Sequence, residues 1–564
     1  MDYKKQLSDI IAPAVEISPE DVYSLIETPE AALGDYAFPC FKLAKLMKKS
    51  PAIIAQELSG KLRLPPFVSE IKAVGAYINF FLDRKSFIED TLLDAGAKGE
   101  AFGSADIGRG RTVCIDYSSI NIAKPFHIGH LSTTVIGNSL SRIYRFLGYK
   151  PVGINHLGDW GTQFGKLIAA YKRWGDAETI EKDSINAMLE LYVKFHDEAE
   201  KDENLNDEGR AWFRKIEDGD EEALRIFNWF KELTLKEVKV IYDMLGVQFD
   251  SYAGESFYND KMQPVVDELK AKGLLEFSDG AYVVRLDEFD LPPCIVLKSD
   301  GATLYATRDL AAAFYRKKTF DFEKCLYVVA YQQNLHFKQL FKVIELMGYE
   351  WAKDLEHVAF GMVSLEDGTI STRKGKVVFL KDVLDKAVEK TLAIIEEKSP
   401  GLENKEEVAK TVGVGAVVFD TLSAARIKDI TFSFDRVLNF DGETGPYVQY
   451  TFARCCSLLR RAEFDYKSER KDFSALDNEE AFAAAKLLYS FPETVMRACG
   501  KNEPYIITKY ITELAKAMNK YYYEHRIITD DQPGSAARLL LSECVKTVIK
   551  TGLSLIGVGA PERM

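Results

Sequence analysis

The residues DYSSINIAKPFHIGHLSTTVIGNSLSRIYRFLG, Asp116 to Gly148, decide how the rest of the chain is read. A short alternating run, Thr112–Tyr117, leads into them and predicts a buried strand. A polar loop follows, closed by Pro125, and a helical pattern begins near His127. Leu131, Val135, Ile136, Leu140, Ile143 and Leu147 recur at helical spacing, and Gly148 suits a helix stop. His127-Ile-Gly-His130 therefore stands where a strand's carboxyl end passes to a helix amino end. Three residues apart, the two histidines share one face of the first turn. Gly129 between them lets a ligand approach the backbone. Helix amino ends favour anions, and two imidazoles there add donors for a phosphate whose charge grows during a reaction. The four residues alone do not separate this reading from a pair of helix-capping histidines.

Working outward, 564 residues are too many for one core, and three or four domains are expected. Hydrophobic content of 47% with 28% charged residues describes a soluble globular chain, and no apolar run approaches a membrane span. The first residues read as an amphipathic helix rather than a signal peptide. Eight cysteines, scattered apart from Cys455-Cys456 and without CxxC spacing, indicate neither a zinc site nor a disulfide framework. A reducing, cytoplasmic setting fits. The net charge of −13 argues against broad non-specific nucleic-acid binding, but leaves room for a folded RNA held by local basic patches.

The pattern before residue 105 predicts an α+β domain, with helices near Tyr3–Ile17 and Lys42–Leu62 and a strand at Val74–Leu82. Lys42, Lys45, Lys48 and Lys49 line part of the second helix. From about 106 a strand, the histidine loop, a helix and a second strand at Lys150–Asn155 imply a Rossmann-like parallel sheet with ligands beyond the strands' carboxyl ends. A charged, helical stretch from about 172, continuing as mixed structure to about 295, reads as an insertion between the sheet's halves. The second half is expected to resume at Ile295, with a buried strand at Leu326–Ala330 and another at His357–Val363. Beyond about 435 the pattern is helical to the end, an all-α bundle. There is no internal repeat and no low-complexity tract.

SSINIAKPFHIGHL followed by NHLGDWGTQFGKLI (Asn155–Ile168) closely resembles the arginyl-tRNA synthetase family of class I aminoacyl-tRNA synthetases. GDYAFPCFKLAKLMKKSP resembles that family's amino-terminal domain, and the last helices, ending GAPERM, its anticodon-binding domain. The resemblance implies activation of L-arginine by ATP, with Mg2+ accompanying the nucleotide, and transfer to tRNA(Arg) by a monomer. It implies a tRNA-contacting domain over 1–105, a catalytic domain over 106–435 and an anticodon-binding domain over 436–564.

The same resemblance assigns residues. His127, Gly129 and His130 would meet ATP, with Met362 also on the ATP side. The second family signature falls in ISTRKGKVV (Ile370–Val378), which departs from KMSKS. Arg373 or Lys374 would be its mobile cation, and Lys124, just before the histidines, takes the place of the missing lysine as a phosphate cation. A guanidinium needs carboxylates and an aromatic or hydroxyl surface. Tyr305 and Asp309, four apart at a helix start, and Glu255 would supply them. Asp116, Asn121 and Gln333 would hold the α-amino and carboxylate end. His336 either touches ATP or caps its helix, and His156 helps organise the site. His196 and His525 read as surface residues. Arg454, Arg460 and Arg461, with Tyr521–Tyr523, offer cations and stacking faces to RNA. No protein metal site is expected. Two rivals stand beside this reading: a nucleotidylyltransferase, which would not need Tyr305 and Asp309, and a non-catalytic tRNA-binding scaffold.

Overall fold

The computed structural model describes residues 2–365 and 378–564, and the chain forms two compact units. One comprises residues 1–102, 454–492 and 513–549; the other holds 103–453, 493–512 and 550–564.

In the first unit β1 (Tyr36–Pro39), β2 (Val68–Val74) and β3 (Tyr77–Leu82) form an antiparallel sheet in the order β1-β3-β2. The strand expected over Val74–Leu82 is instead a hairpin: Val74 pairs with Tyr77, and Gly75, at φ +59°, makes the tight turn that the alternating pattern concealed. The helix expected over Lys42–Leu62 is two, Leu43–Met47 and Pro51–Lys61. Lys48 turns left-handed, and Ser50-Pro51 starts a new helix, the serine accepting from the Ile53 N–H and the proline filling the first turn. Tyr3 anchors the unit, its ring within 5.5 Å of Phe67, Phe87 and Tyr489 and its hydroxyl 2.8 Å from Asp90. The expected carboxyl-terminal helices are present as Gly445–Arg460, Glu479–Gly500, Tyr505–Glu524 and Gln532–Leu555, each with part of its length in either unit.

The second unit is built on β4 (Thr112–Asp116) and β5 (Lys150–Ile154), which pair in parallel and are almost wholly buried. Five helices between Thr162 and Leu245 follow, then a three-stranded antiparallel sheet of β6 (Leu275–Ser278), β7 (Ala281–Val284) and β8 (Cys294–Lys298). β8 stands where the parallel sheet is expected to resume, yet pairs with β7; the helix Tyr305–Phe320 and β9 (Lys324–Tyr327) make the return. With β10 (Leu355–His357) the parallel order is β10-β9-β4-β5. Finally β11 (Val363–Leu365) pairs in parallel with β12 (Ile430–Phe432).

The helix Leu131–Phe146 is the unit's axis, and its small polar residues are buried with its apolar ones. Small side chains let neighbouring chain come close. A Cβ added to Gly137 would lie 2.1 Å from the ring of Tyr117, itself 1% exposed. Gly137→Ala is therefore expected to destabilise the unit by about 1–3 kcal/mol through overpacking, despite alanine's better helix propensity. Urea unfolding checks this; an unchanged midpoint would mean the ring can move aside. Farther along, Ser139 donates to the Leu555 carbonyl at 2.9 Å and Tyr144 to Asn502 at 2.8 Å, so the last residues brace this helix.

Candidate active site

The loop between β4 and the helix is held by unusual backbone. Ser118, Ser119 and Ala123 all have positive φ, a cost of about 1–3 kcal/mol each that surrounding bonds must offset. Those bonds are visible. The Ser118 N–H donates to Thr133 Oγ1 at 3.0 Å, which donates to the Val328 carbonyl at 2.7 Å. Ser118 Oγ lies 2.7 Å from the Tyr242 hydroxyl and accepts from Thr134 at 2.9 Å, while Asn155 donates to Tyr242 at 2.8 Å. The serines thus shape the loop.

His127 caps a short 3-10 turn, Ile128–His130, that leads into the helix Leu131–Phe146. Its Nδ1 accepts from the Gly129 N–H at 3.1 Å, so the neutral ring carries its proton on Nε2. His130 Nδ1 faces the His127 backbone at 3.3 Å, and the two ring centres are 4.0 Å apart. Burial, then His127 and Lys124 nearby, pushes His130 down to about 3, and burial also lowers His127. Near neutral pH both are uncharged hydrogen-bond donors, and exposed Lys124 is the loop's cation. The Ile128 N–H bonds the Val378 carbonyl at 3.2 Å and the Leu380 N–H the Phe126 carbonyl at 2.9 Å. These bonds stitch the histidine loop to the chain just after residues 366–377. Arg373 and Lys374 lie outside the described residues.

A second group lies on the same sheet. Asp116 ends β4 at 5% exposure, and it is paired: Arg316 Nη2 is 2.7 Å from Oδ2 and Ser119 donates to Oδ1 at 2.8 Å. Arg316, 1% exposed, lies 5.2 Å over the Tyr327 ring and 3.4 Å from His156 Nδ1. His156 Nε2 is 4.0 Å from Asp309 Oδ1, and His336 Nε2 is 2.7 Å from Asp309 Oδ2. Asp116, Arg316, His156, Asp309 and His336 therefore form one chain of contacts. The imidazole and guanidinium groups around Asp309 outweigh its burial and hold its carboxyl below the usual range.

Glu255 opens the 3-10 turn Glu255–Lys261, and burial raises it to about 7. Its segment is fastened by Asp159, which is fully buried and accepts from Lys231 at 2.6 Å and from Ser256 N and Oγ at 2.9 and 2.8 Å. Tyr305 heads its helix at 70% exposure, and Asn121 and Gln333 are exposed. Met362 is 42% exposed, its N–H donating to Asp429 at 2.7 Å. Sequence reading missed Arg316, Asp159 and Lys231.

In the first unit, Arg454 bonds Asn519 and lies 5.0 Å over the Tyr522 ring, whereas Arg460 and Arg461 are exposed. Tyr521 is fully buried and Tyr523 is 90% exposed, so the tyrosine cluster offers less stacking surface than its sequence suggests. His525, expected at the surface, is half-buried and 3.2 Å from Glu480, and His196 is half-buried too. Glu480, Glu524 and His525 form the one potential three-ligand metal cluster among the described residues. Lys520 sits 3.1 Å from Glu480, as in an ordinary ion-pair network.

Three family models match this chain: "tRNA synthetases class I (R), catalytic domain" over 94–434, "Arginyl tRNA synthetase N terminal domain" over 1–82 and "DALR anticodon binding domain" over 448–564. Among curated proteins, the arginine–tRNA ligase of Halothermothrix orenii is 54% identical over 566 residues and that of Clostridioides difficile 51% over 565, each pair covered end to end. The solved arginyl-tRNA synthetase of Thermus thermophilus superposes with a TM-score of 0.83 at 26% identity, covering both chains in full. That of Plasmodium falciparum, at 23% identity and a TM-score of 0.80, covers 100% of this chain and 98% of its own and shares the fold.

Proposed function

Because the chain belongs to the arginyl-tRNA synthetase family of class I, matched over its whole length, we propose that it activates L-arginine with ATP and transfers it to tRNA(Arg), releasing pyrophosphate and AMP. The observation that carries this reading is the pairing, on one parallel sheet, of two neutral histidines at a helix start with an acidic group around Asp309.

In the first step the arginine carboxylate attacks the α-phosphorus of ATP, supplied as its magnesium complex, and pyrophosphate leaves. His127 and His130 donate hydrogen bonds to the phosphate oxygens as their charge grows, with Gly129 allowing close approach. Lys124, aided by Arg373 or Lys374, offsets the charge of the departing pyrophosphate. Met362 lies on the ATP side. In the second step a ribose hydroxyl of the terminal adenosine attacks the activated carbonyl, and AMP leaves. No protein nucleophile is required, which fits serines committed to the loop.

Asp309, Glu255 and Tyr305 take the guanidinium, while Asp116, Asn121 and Gln333 take the α-amino and carboxylate end. The amino-terminal domain (1–105) and the carboxyl-terminal domain (436–564, with Arg454, Arg460 and Arg461) contact tRNA. We read the protein as a cytoplasmic monomer. All eight cysteines are free and buried, which agrees with a reducing compartment.

Arginine-dependent ATP–pyrophosphate exchange, run with and without tRNA, and formation of arginyl-tRNA test the function. Exchange without any amino acid would favour a nucleotidylyltransferase, and tRNA binding without turnover a scaffold.

Glu255 adds a pH dependence. With its carboxyl raised by burial to about 7, it is partly protonated at neutral pH. Folding then favours the protonated form, so this group's contribution to stability falls as pH rises from the ordinary carboxyl value of 4.5 through about 7. A guanidinium beside it favours the carboxylate, so arginine binding at pH 7 is expected to release protons. Calorimetry in two buffers of different ionisation enthalpy should give different binding heats, and Glu255→Gln should remove the difference. Equal heats with the native chain would take Glu255 out of the arginine site.

A further inference from the structure

The sequence leaves His336 between an ATP contact and a helix cap, and the structure gives it another partner. It sits near the start of the helix Asn334–Leu346 and places Nε2 2.7 Å from Asp309 Oδ2. Across the same carboxylate, His156 Nε2 approaches Oδ1 at 4.0 Å. Arg316 can only donate, so His156 Nδ1, 3.4 Å from Nη2, must accept, and its proton lies on Nε2, facing Asp309. Burial keeps His156 uncharged near neutrality. Each oxygen of Asp309 thus faces an imidazole. The remaining charged groups around it are Arg316 with Asp116 behind it, and Arg308 and Asp159 beside Glu255.

Resting on the reading of Asp309 as the guanidinium's partner, we propose that His336 is a positioning residue that sets arginine selection. As a neutral imidazole it donates Nε2–H to one lone pair of Oδ2 and fixes the carboxylate plane. The other lone pairs stay available for two parallel N–H donors of a guanidinium.

The test uses the full chain and His336→Ala and His336→Gln, the glutamine retaining an N–H donor that cannot gain a proton. In arginine-dependent exchange, His336→Ala should raise the KM for arginine about tenfold, the scale of one lost hydrogen bond, and leave the KM for ATP within about twofold. His336→Gln should restore most of that loss. A raised KM for ATP with arginine unaffected would make His336 an ATP contact and overturn the proposal, as would a His336→Gln variant no better than His336→Ala. Native protein without arginine-dependent exchange would refute the function itself, a separable result.

Discussion

Asp309→Ala is expected to lower kcat/KM for arginine by at least about a thousandfold while ATP binding stays near native. A guanidinium enclosed without its carboxylate forfeits charge-assisted hydrogen bonds of about 1.5–3 kcal/mol each. An ion left unpaired after truncation of its partner typically costs about 3–5 kcal/mol. The surroundings add to the effect, since His336 and His156 both turn Nε2 toward this acid, and its loss would take that acceptor from them. Asp309→Asn keeps the shape and removes the charge, so it should recover little. The measurement is arginine-dependent ATP–pyrophosphate exchange, with ATP affinity determined separately on the same protein. Unchanged KM and kcat for arginine would sink the guanidinium assignment.

The parallel sheet and the histidine loop were legible because their signals are local. Buried runs for β4 and β5, six apolar residues at helical spacing and a stop at Gly148 all lie within some forty residues of one another. The terminal helical domain reads equally well, from periodicity over long segments. Where a turn interrupts without breaking the hydrophobic pattern, periodicity is blind. Gly75 hid the hairpin between β2 and β3, and Ser50-Pro51 hid a helix start. β8 is an apolar run like those of the main sheet, and nothing in it tells which neighbour it will pair with.

The site was legible only in part, for a different reason. Arg316, the first of three consecutive cations, comes seven residues after Asp309, two helical turns on, so both point to one side of Tyr305–Phe320. That spacing was a signal, although a surface arginine shows the same one. Asp159 and Lys231 had none, being 72 residues apart and joined only by the fold. Their pairing nevertheless decides where Glu255 stands: Asp159 also accepts from Ser256, the next residue, and a Cβ on Gly254 would lie 2.6 Å from Asp159 Oδ1. The insertion thus delivers one acid to the site through a buried ion pair. Buried pairs add little net stability, but breaking one by removing a partner is costly, which suits a role in registration.

For His130→Ala the expected result is a hundred- to thousandfold fall in the arginine activation rate with the fold intact. A positioned donor to developing phosphate charge is worth about 2.7–4 kcal/mol in comparable sites. Charge state discriminates between mechanisms. With His130 pushed down to about 3 by burial, its ring is neutral throughout the working pH range. Its Nδ1 is turned to the His127 backbone, and in the tautomer in which Nδ1 accepts from the His127 N–H the ring donates through Nε2. An activation rate saturated in both substrates should then show no His130-dependent rise as pH falls from 8 to 6, whereas an imidazolium acid would produce one. His130→Gln, which keeps an amide donor, should recover part of the rate. Combining His127→Ala with His130→Ala should cost less than the product of the single effects, because rings 4.0 Å apart serve one charge. Single-turnover formation of arginyl-adenylate measures each rate. A normal rate in His130→Ala would remove this residue from the site, and with it the claim that the loop after β4 faces the triphosphate.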